Sequence, residues 1–188
     1  MSKYIINVSF QTRVNKTTRT LEIAESFGLG LDEKEWTLYD NLELEVKQGD
    51  VVYITGQSGS GKSVVLRELQ RQMKDEGLSV ASIDDFTFDN EVNVIDQLGK
   101  TTSDALGLLS MAGLNDAYLF VRKPSEMSDG QKYRLKIAKL IESGAKVWAA
   151  DEFGAVLDRV TAQVVASNLQ RAARKVGATV MVATTHED

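Results

Sequence analysis

Hydrophobic and polar positions along this chain follow two periods, and each period predicts a different kind of element. Leu42, Leu44 and Val46 alternate with charged residues, which is the period of a strand with one solvated face. In residues 64–74 the apolar positions follow helical spacing instead. Short β-branched or apolar runs indicate further strands at 4–10, 50–55, 78–83, 146–150 and 178–184.

The order of these segments predicts the fold class. Helices are expected at 17–27, 64–74, 103–112, from near Ser128, and at 158–176. Ser103 is the expected N-cap of the third helix, and Gly113 and Gly177 follow helix ends. Because strands alternate with helices, we predict an α/β protein with a mainly parallel sheet covered by helices.

Composition sets the broad class. The 188 residues predict one domain, 1–188, in which residues 98–130 form a short helical lobe. Hydrophobic content of 43% and charged content of 26% are typical of a soluble globular protein. No apolar run approaches the length of a membrane span, and the absence of cysteine favours a reducing compartment, so we expect a cytoplasmic protein. The net charge of −5 gives no general reason to expect nucleic acid.

A glycine-rich stretch carries the most specific chemical signal. Residues 56–63 read G-Q-S-G-S-G-K-S and fit G-x-x-x-x-G-K-[ST], between a predicted strand and a predicted helix. Such a loop points its N–H groups inward at phosphates, and the helix adds its positive end. Lys62 is expected to reach the β- and γ-phosphates and Ser63 to bind Mg²⁺. The predicted nucleotide-binding residues of the loop are Gly56, Gln57, Ser58, Gly59, Ser60, Gly61, Lys62, Ser63 and Val64.

Two carboxylates follow the apolar run that ends at Ala150. The carboxyl ends of parallel strands meet at one edge of a sheet, which places Asp151 and Glu152 near the glycine-rich loop. We predict that Asp151 helps to hold Mg²⁺ beside Ser63 and that Glu152 acts as the general base on water. The alternative is an acidic pair that merely ends a strand.

Residues 127–131, M-S-D-G-Q, could be only a helix start, with Ser128 as cap and Gln131 three residues later. They also resemble the L-S-G-G-Q signature of ATP-binding cassette (ABC) ATPases, with Met for Leu and Asp for the first Gly. Residues 154–158, ending in Asp158, resemble the D-loop of that family. Residues 183–186 resemble its switch strand, which ends in a histidine, here His186.

The resemblance runs from about Leu38 to His186 and implies a mechanism shared by two chains. ATP and Mg²⁺ are the implied cofactors, and Glu152, His186 and Lys62 the implied catalytic residues. Such domains form head-to-tail homodimers that sandwich ATP between one phosphate loop and the partner's signature helix. The residues implied to act in trans are Ser128, Asp129, Gly130, Gln131 and Asp158.

Two positions of the family pattern stay open. Gln97 is the candidate for the family's Q-loop glutamine and for a Mg²⁺ ligand, although Asp84 or Asp85 lies nearer the expected slot after the strand. Trp36 and Tyr39 are candidates for the aromatic that stacks on adenine, and Trp36 is favoured.

The segment before Ser128 has room for little more than one apolar helix, so a transporter subunit is not expected. The D-E-F at 151–153, in place of the usual D-E-P, resembles soluble ABC ATPases that some genomes fuse to an acetyltransferase-like domain. The chain stops two residues after His186, as a trimmed domain or a minimal version would.

The leading hypothesis is therefore a soluble ATP hydrolase of the ABC class. One alternative is an ATP-switched dimerising module, linked to DNA or protein, with little turnover. A small-molecule phosphotransferase is a third hypothesis. A basic helix face leaves nucleic acid open, although a solvated face is the favoured interpretation; it comprises Lys132, Arg134, Lys136 and Lys139.

Overall fold

The computed structural model describes residues 2–185. Contacts between Cα atoms divide this chain into two compact units, a smaller one at Lys3–Glu45 and a larger one that starts at Val46. The single domain predicted over residues 1–188, with a helical lobe at 98–130, stays a prediction. None of the helices in the described residues has the length and hydropathy that a membrane crossing requires.

The smaller unit is made mainly of β1 (Ser2–Thr12), α1 (Thr18–Phe27) and β2 (Lys34–Val46). The two strands pair with each other in a two-stranded sheet. The helix begins after Thr17, whose hydroxyl accepts the Thr20 N–H at 3.3 Å, and it ends at Gly28, which has φ +63°. The predicted helix at 17–27 is confirmed.

The larger unit is organised by a four-stranded sheet. Its strands are β3 (Val51–Thr55), β4 (Val80–Ser82), β5 (Val147–Ala150) and β6 (Thr179–Thr184). Their spatial order is β3-β6-β5-β4, and every pair is parallel. The predicted α/β class with a parallel sheet is confirmed.

Five helices accompany this sheet in the described residues: α2 (Lys62–Asp75), α3 (Thr102–Met111), α4 (Ala117–Phe120), α5 (Asp129–Ser143) and α6 (Arg159–Val176). Short 3-10 helices lie at Ile83–Asp85, Val94–Gln97 and Pro124–Glu126. Both α5 and α6 begin where the sequence predicts, because Ser128 and Asp158 each accept a backbone N–H of the following turn.

Helices pack on both faces of the sheet. Trp148 and Val180 belong to one buried cluster with residues of α3, α5 and α6. Val147 and Met181 are also buried but lie outside that cluster, as expected because successive strand residues point to opposite faces. On that second face α2 packs on the sheet through its buried residues Val65, Leu66, Leu69 and Met73.

The region between β4 and α5 differs from the prediction in two ways. Ser103 is not the N-cap of α3; Thr101 is, because its hydroxyl accepts the Asp104 N–H and the Asp104 carboxylate accepts the Thr101 N–H, both at 3.2 Å. This reciprocal pair fixes the helix start two residues earlier. The region also holds α4 and three 3-10 helices rather than little more than one helix.

A buried and an exposed leucine on α3 provide a test of how this helix packs. Leu109 is fully buried in the core cluster, so Leu109→Ala should lower the free energy of unfolding by about 2–5 kcal/mol. Leu106 is 41% exposed, so Leu106→Ala should cost less than about 1 kcal/mol. Urea denaturation followed by circular dichroism measures both; equal costs would contradict the packing of α3.

Candidate active site

The glycine-rich loop connects the end of β3 to the start of α2. Gly59 and Gly61 have φ values of +79° and +87°, which only glycine adopts readily. Gly61 is the N-cap of α2 and has no side chain to cap it, so no cap side chain occupies the first N–H groups of the helix. A helix start of this kind attracts anions through its N–H groups and its dipole.

The Lys62 side chain contacts the backbone of the same loop. Its Nζ donates hydrogen bonds to the carbonyl oxygen of Gly56 at 2.7 Å and to that of Gln57 at 2.6 Å. The ammonium group is therefore held against the loop by the loop's own backbone. A positive charge, the loop and the start of α2 lie together, which is the arrangement that phosphate binding needs.

A hydrogen bond joins this loop region to the end of β5. The Ser63 hydroxyl, in the first turn of α2, donates to Asp151 Oδ1 at 2.8 Å. The same Oδ1 accepts the Glu152 N–H at 3.0 Å, and Asp84 Oδ2 accepts the Asp151 N–H at 3.2 Å. The structure thus brings Ser63, Asp151 and Glu152 together at the carboxyl edge of the sheet, with Asp84 beside them.

The backbone at Glu152 has an unusual conformation. Its φ of +47° is in the left-handed region, where an L side chain costs about 1–2 kcal/mol. The carbonyl oxygen of Glu152 accepts the Ala155 N–H at 3.0 Å, and the next residue, Phe153, donates its N–H to the Ala183 oxygen at 2.9 Å. The side chain of Glu152 is exposed. Sequence reasoning did not foresee this turn.

Gln97 makes its contacts within its own connecting segment. Its Oε1 accepts the Asp89 N–H at 2.9 Å, and its Nε2 donates to the Asp89 oxygen at 2.9 Å and the Val92 oxygen at 2.7 Å. These bonds favour the interpretation of an amide that fixes a loop. Asp84, the alternative from the sequence, is the residue that contacts Asp151. The predicted metal-binding role of Gln97 stays a prediction.

The signature residues form a helix start. The Ser128 hydroxyl accepts the Gln131 N–H at 3.3 Å, and Gln131 Oε1 accepts the Ser128 N–H at 2.9 Å. Ser128 and Asp129 are exposed, whereas Gly130 is buried. A Cβ on Gly130 would lie 2.5 Å from the Thr161 Cγ2, so any larger residue would require Thr161 or the helices to shift.

Asp158 lies at the start of the neighbouring helix. Its Oδ1 accepts the Thr161 N–H at 3.0 Å and its Oδ2 accepts the Thr161 hydroxyl at 2.6 Å. These hydrogen bonds, that from the Thr161 side chain first, lower the pKa of Asp158. The signature start and Asp158 therefore meet through Thr161 within one chain.

A cleft of about 560 Å³ lies at this edge of the larger unit. Its lining residues are Asp84, Asp129, Lys132, Tyr133, Lys136, Asp151, Glu152, Ala155 and Val156. Tyr133 was missed by sequence reasoning, although an aromatic residue within a basic helix face was a visible signal. Burial raises its pKa, the Asp84 carboxylate raises it further, and the Gly154 backbone hydrogen bond lowers it.

The remaining candidates lie elsewhere or outside the described residues. Trp36 is on β2 in the smaller unit, 58% exposed, with its ring centroid 6.1 Å from that of Phe10. Its contact with adenine stays a prediction. His186 lies outside the described residues, so its predicted role also stays a prediction.

The oxygen ligands near the loop fit a magnesium ion. In residues 2–185 no group of three or more His, Cys, Asp or Glu side chains could hold a metal ion. Mg²⁺ does not need such a group, because it is commonly bound by one or two carboxylates together with water and substrate phosphates. The hydroxyl of Ser63 and the carboxylate of Asp151, 2.8 Å apart, are hard oxygen donors of this kind.

A phosphate loop that starts a helix on a parallel sheet, facing a strand that ends in two carboxylates, defines a P-loop nucleotide-binding fold. The model of the ABC transporter family matches residues 39–155. The chain therefore belongs to the ABC transporter family, whose ATPase domains bind ATP.

Curated relatives are ATP-binding proteins of importers. The chain is 26% identical to the methionine import ATP-binding protein MetN of Geobacillus kaustophilus, over 80% of this chain and 53% of that protein. It is 30% identical to MetN of Histophilus somni, over 82% of this chain and 54% of that protein. The chain spans about half the length of these relatives.

Solved structures of the family share the fold. A dimeric ATP-binding cassette in a post-hydrolysis state, bound to ADP and Pi, aligns with a TM-score of 0.64 and 19% identity, over 98% of this chain and 88% of that chain. CbiO1 from Clostridium perfringens, part of the transporter complex cbiONQ, aligns with a TM-score of 0.63 and 18% identity, over 80% and 72% of the two chains. At these identities the likeness is one of fold.

The sequence analysis predicted that a transporter subunit is unlikely as a partner, and this prediction is wrong. The curated relatives are methionine import ATP-binding proteins, and CbiO1 is part of a transporter complex. The length of the segment before Ser128 is a poor guide, because the region between β4 and α5 folds into α3, α4 and three 3-10 helices. The finer likeness to the acetyltransferase-fused group stays a prediction.

The left-handed backbone of Glu152 can be tested by stability. Glycine adopts this conformation without a Cβ clash, so Glu152→Gly should be more stable than Glu152→Ala by about 1 kcal/mol. At Ser167, exposed within α6, the order should reverse, because alanine favours a helix over glycine by about 1 kcal/mol. Urea denaturation of the four variants measures both stability differences. A more stable alanine variant at both positions would contradict the left-handed turn at Glu152.

Proposed function

We propose that this chain binds Mg-ATP and hydrolyses it in an ATP-sandwiched, head-to-tail homodimer. The observation that carries the proposal is the hydrogen bond from the Ser63 hydroxyl to Asp151 Oδ1 at 2.8 Å. It puts the phosphate loop and the strand-end carboxylates at one place, where a nucleotide, a metal ion and a base must meet.

Binding rests on the loop and the start of α2. The Lys62 ammonium, which now donates to the Gly56 and Gln57 oxygens, would donate to the β- and γ-phosphates instead. The Ser63 hydroxyl and the Asp151 carboxylate would hold Mg²⁺, which neutralises charge on the phosphate oxygens when bound. The N–H groups at the start of α2 complete the anion site.

Hydrolysis rests on Glu152. Water attacks the γ-phosphorus, the bond from that phosphorus to the bridging oxygen of ADP breaks, and the Glu152 carboxylate takes the proton of the water. The Asp151 carboxylate accepts the Glu152 N–H at 3.0 Å, so the base is connected directly to the metal-binding residue. His186 is proposed as the γ-phosphate sensor on the strength of the family resemblance alone.

The dimer follows from the signature helix. Ser128 and Asp129 are exposed at the start of α5, whereas Gly130 is buried beside Thr161. This leaves an accessible helix start, suited to the γ-phosphate of ATP bound by a second copy. The dimeric cassette bound to ADP and Pi, which shares this fold, supports the same arrangement.

The relatives also favour a role in import. MetN proteins are import ATP-binding proteins, and the match covers most of this chain, so we propose that ATP turnover here drives a membrane partner. The predicted cytoplasmic location stays a prediction. A dimerising module with little turnover remains the alternative, and the following experiment distinguishes the two.

Glu152→Gln should bind Mg-ATP without turnover and accumulate as a dimer, because the amide cannot accept the proton of water. Light scattering should give twice the monomer mass with Mg-ATP and the monomer mass with ADP. Wild-type protein should release phosphate from ATP, whereas Glu152→Gln should release at least about a hundred times less. Lys62→Ala is the matched control and should lose ATP affinity and remain a monomer.

Two outcomes would contradict the proposal. Turnover by Glu152→Gln at the wild-type rate would remove the base assignment. A monomer that holds ATP, in the wild type and in Glu152→Gln alike, would remove the sandwich dimer. Dimerisation on ATP with no turnover by the wild type would favour the switched binding module.

Ser128→Arg should block the dimer but leave ATP binding intact. The arginine would place a long, charged side chain at the helix start that meets the partner, whereas the phosphate loop is unchanged. Ser128→Thr keeps the capping oxygen and should dimerise like the parent. Both changes are made in Glu152→Gln and measured by light scattering with Mg-ATP; a normal dimer for Ser128→Arg would rule out the trans contact.

A further inference from the structure

A second cavity in the larger unit lies between the end of α3 and one face of α6. Its volume is about 160 Å³. Since a water molecule takes up about 30 Å³ of liquid, the cavity admits a group of several non-hydrogen atoms. Among the described residues, none lines both this cavity and the cleft beside Glu152. Its polar and glycine lining residues are Ser110, Gly113, Asn115, Asn168, Arg171 and Lys175.

The Asn168 side chain is the unusual feature of this cavity. The residue is only 8% exposed, yet its amide makes no hydrogen bond to any residue that the structure describes. Fully enclosed side-chain N and O atoms in this part of the chain all have partners, so the Asn168 amide opens on the cavity that it lines. A buried amide without a partner is costly, and a ligand in the cavity would supply the partner.

Gly113 fixes the position of this amide. A Cβ at Gly113 would lie 2.7 Å from Asn168 Nδ2 and 2.8 Å from its Cγ, so the amide occupies the space that a side chain would need. The Gly113 carbonyl oxygen accepts a hydrogen bond from Arg134 at 3.1 Å, and its N–H donates to the Ser110 oxygen at 3.1 Å. This wall of the cavity is therefore preformed, which lowers the cost of ordering on binding.

Two cations complete the lining. Asn168, Arg171 and Lys175 are spaced by three and four residues, so they lie along one face of α6. Neither cation belongs to an ion pair within residues 2–185, and none of the lining residues is acidic. Guanidinium and ammonium groups only donate hydrogen bonds, and a guanidinium can bind two oxygens of a carboxylate or phosphate side by side. The lining therefore favours an anion.

We propose that this cavity is a binding site for a small oxyanion, that is, a phosphate or a carboxylate group. The Arg171 guanidinium donates to its oxygens, the Lys175 ammonium adds a second positive charge, and the Asn168 amide gains the partner that it lacks. The negative end of α6 would explain Lys175 alone, but Arg171 and Asn168 lie one and two turns earlier. The site does not depend on ATP hydrolysis by this chain.

Nuclear magnetic resonance of the isotope-labelled chain tests the site directly, because the side-chain amide of Asn168 has its own resonances. Their loss in Asn168→Leu assigns them. Sodium phosphate and sodium acetate are titrated separately, with sodium chloride keeping the ionic strength constant. We expect a saturable shift of the Asn168 resonances. A lower Kd for phosphate would identify a phosphate group as the ligand, and a lower Kd for acetate a carboxylate; no saturable shift with either would overturn the proposal.

Two arginine variants distinguish a site from general attraction. Arg171→Gln should raise the Kd at least about tenfold, because it removes charge-assisted hydrogen bonds. Arg174→Gln is the matched control, since it removes the same charge from an exposed position of the same helix that is not part of the cavity lining. Its Kd should stay within about twofold of the wild type. An equal loss in both variants would show only attraction to a basic helix end and would contradict the site.

Phosphate can also bind the glycine-rich loop, and the same spectra separate the two sites. Binding at the loop should shift the resonances of Gly59 and Gly61 and should persist in Arg171→Gln. If the loop responds while Asn168 responds to neither anion, this inference is wrong and the proposed function stands. If Asn168 responds while the loop binds neither phosphate nor Mg-ATP, the proposed function fails and the oxyanion site stands.

Asn168→Leu supplies a second measurement. Leucine replaces the amide by an apolar group of similar size, and without added anion this variant should be at least as stable as the wild type, because no hydrogen bond is lost. The bound anion should raise the midpoint of thermal unfolding more in the wild type than in Asn168→Leu, since a ligand of the folded state stabilises it. An equal rise in both would be a general salt effect and would contradict the site.

Discussion

The hydrogen bond between Ser63 and Asp151 depends on nearly every feature of the larger unit. Ser63 starts the helix after β3 and Asp151 follows β5, yet β6 lies between these strands in the sheet. The bond therefore spans the carboxyl end of the central strand. It forms only if three strands are parallel and in register and if the loop after β3 turns back over the sheet. The order of the strands therefore determines which site residues lie close together.

Local sequence patterns were sufficient to predict much of the larger unit. The phosphate loop, the strand at 147–150 and the helix starts at Ser128 and Asp158 depend on neighbouring residues, and propensity and spacing describe such features well. The start of α3 was misassigned because two overlapping caps were available and the reciprocal pair of Thr101 and Asp104 prevails. The β6 sequence likewise predicted a strand, since its residues 180–183 are all apolar.

What the sequence could not supply depends on distant contacts. The positive φ of Glu152 follows from bonds to β6, about 30 residues later, and no residue type at 152 announces it. The hydrogen bonds of Gln97 to the backbone at 89 and 92 likewise depend on how the connection folds back. The packing of the Tyr133 ring against Phe153 also depends on the tertiary fold, because the two residues are 20 positions apart in the chain. The error about transporters arose differently, from treating segment length as a measure of function.

The close contact of Gly130 with Thr161 has a consequence for how two copies would meet. Thr161 also donates two hydrogen bonds to Asp158, so this one residue contacts the starts of both α5 and α6. If two copies associate through this surface as proposed, a partner that meets one helix start would also meet the other, without the entropy cost of ordering two separate segments. Such an association would be all or none rather than gradual.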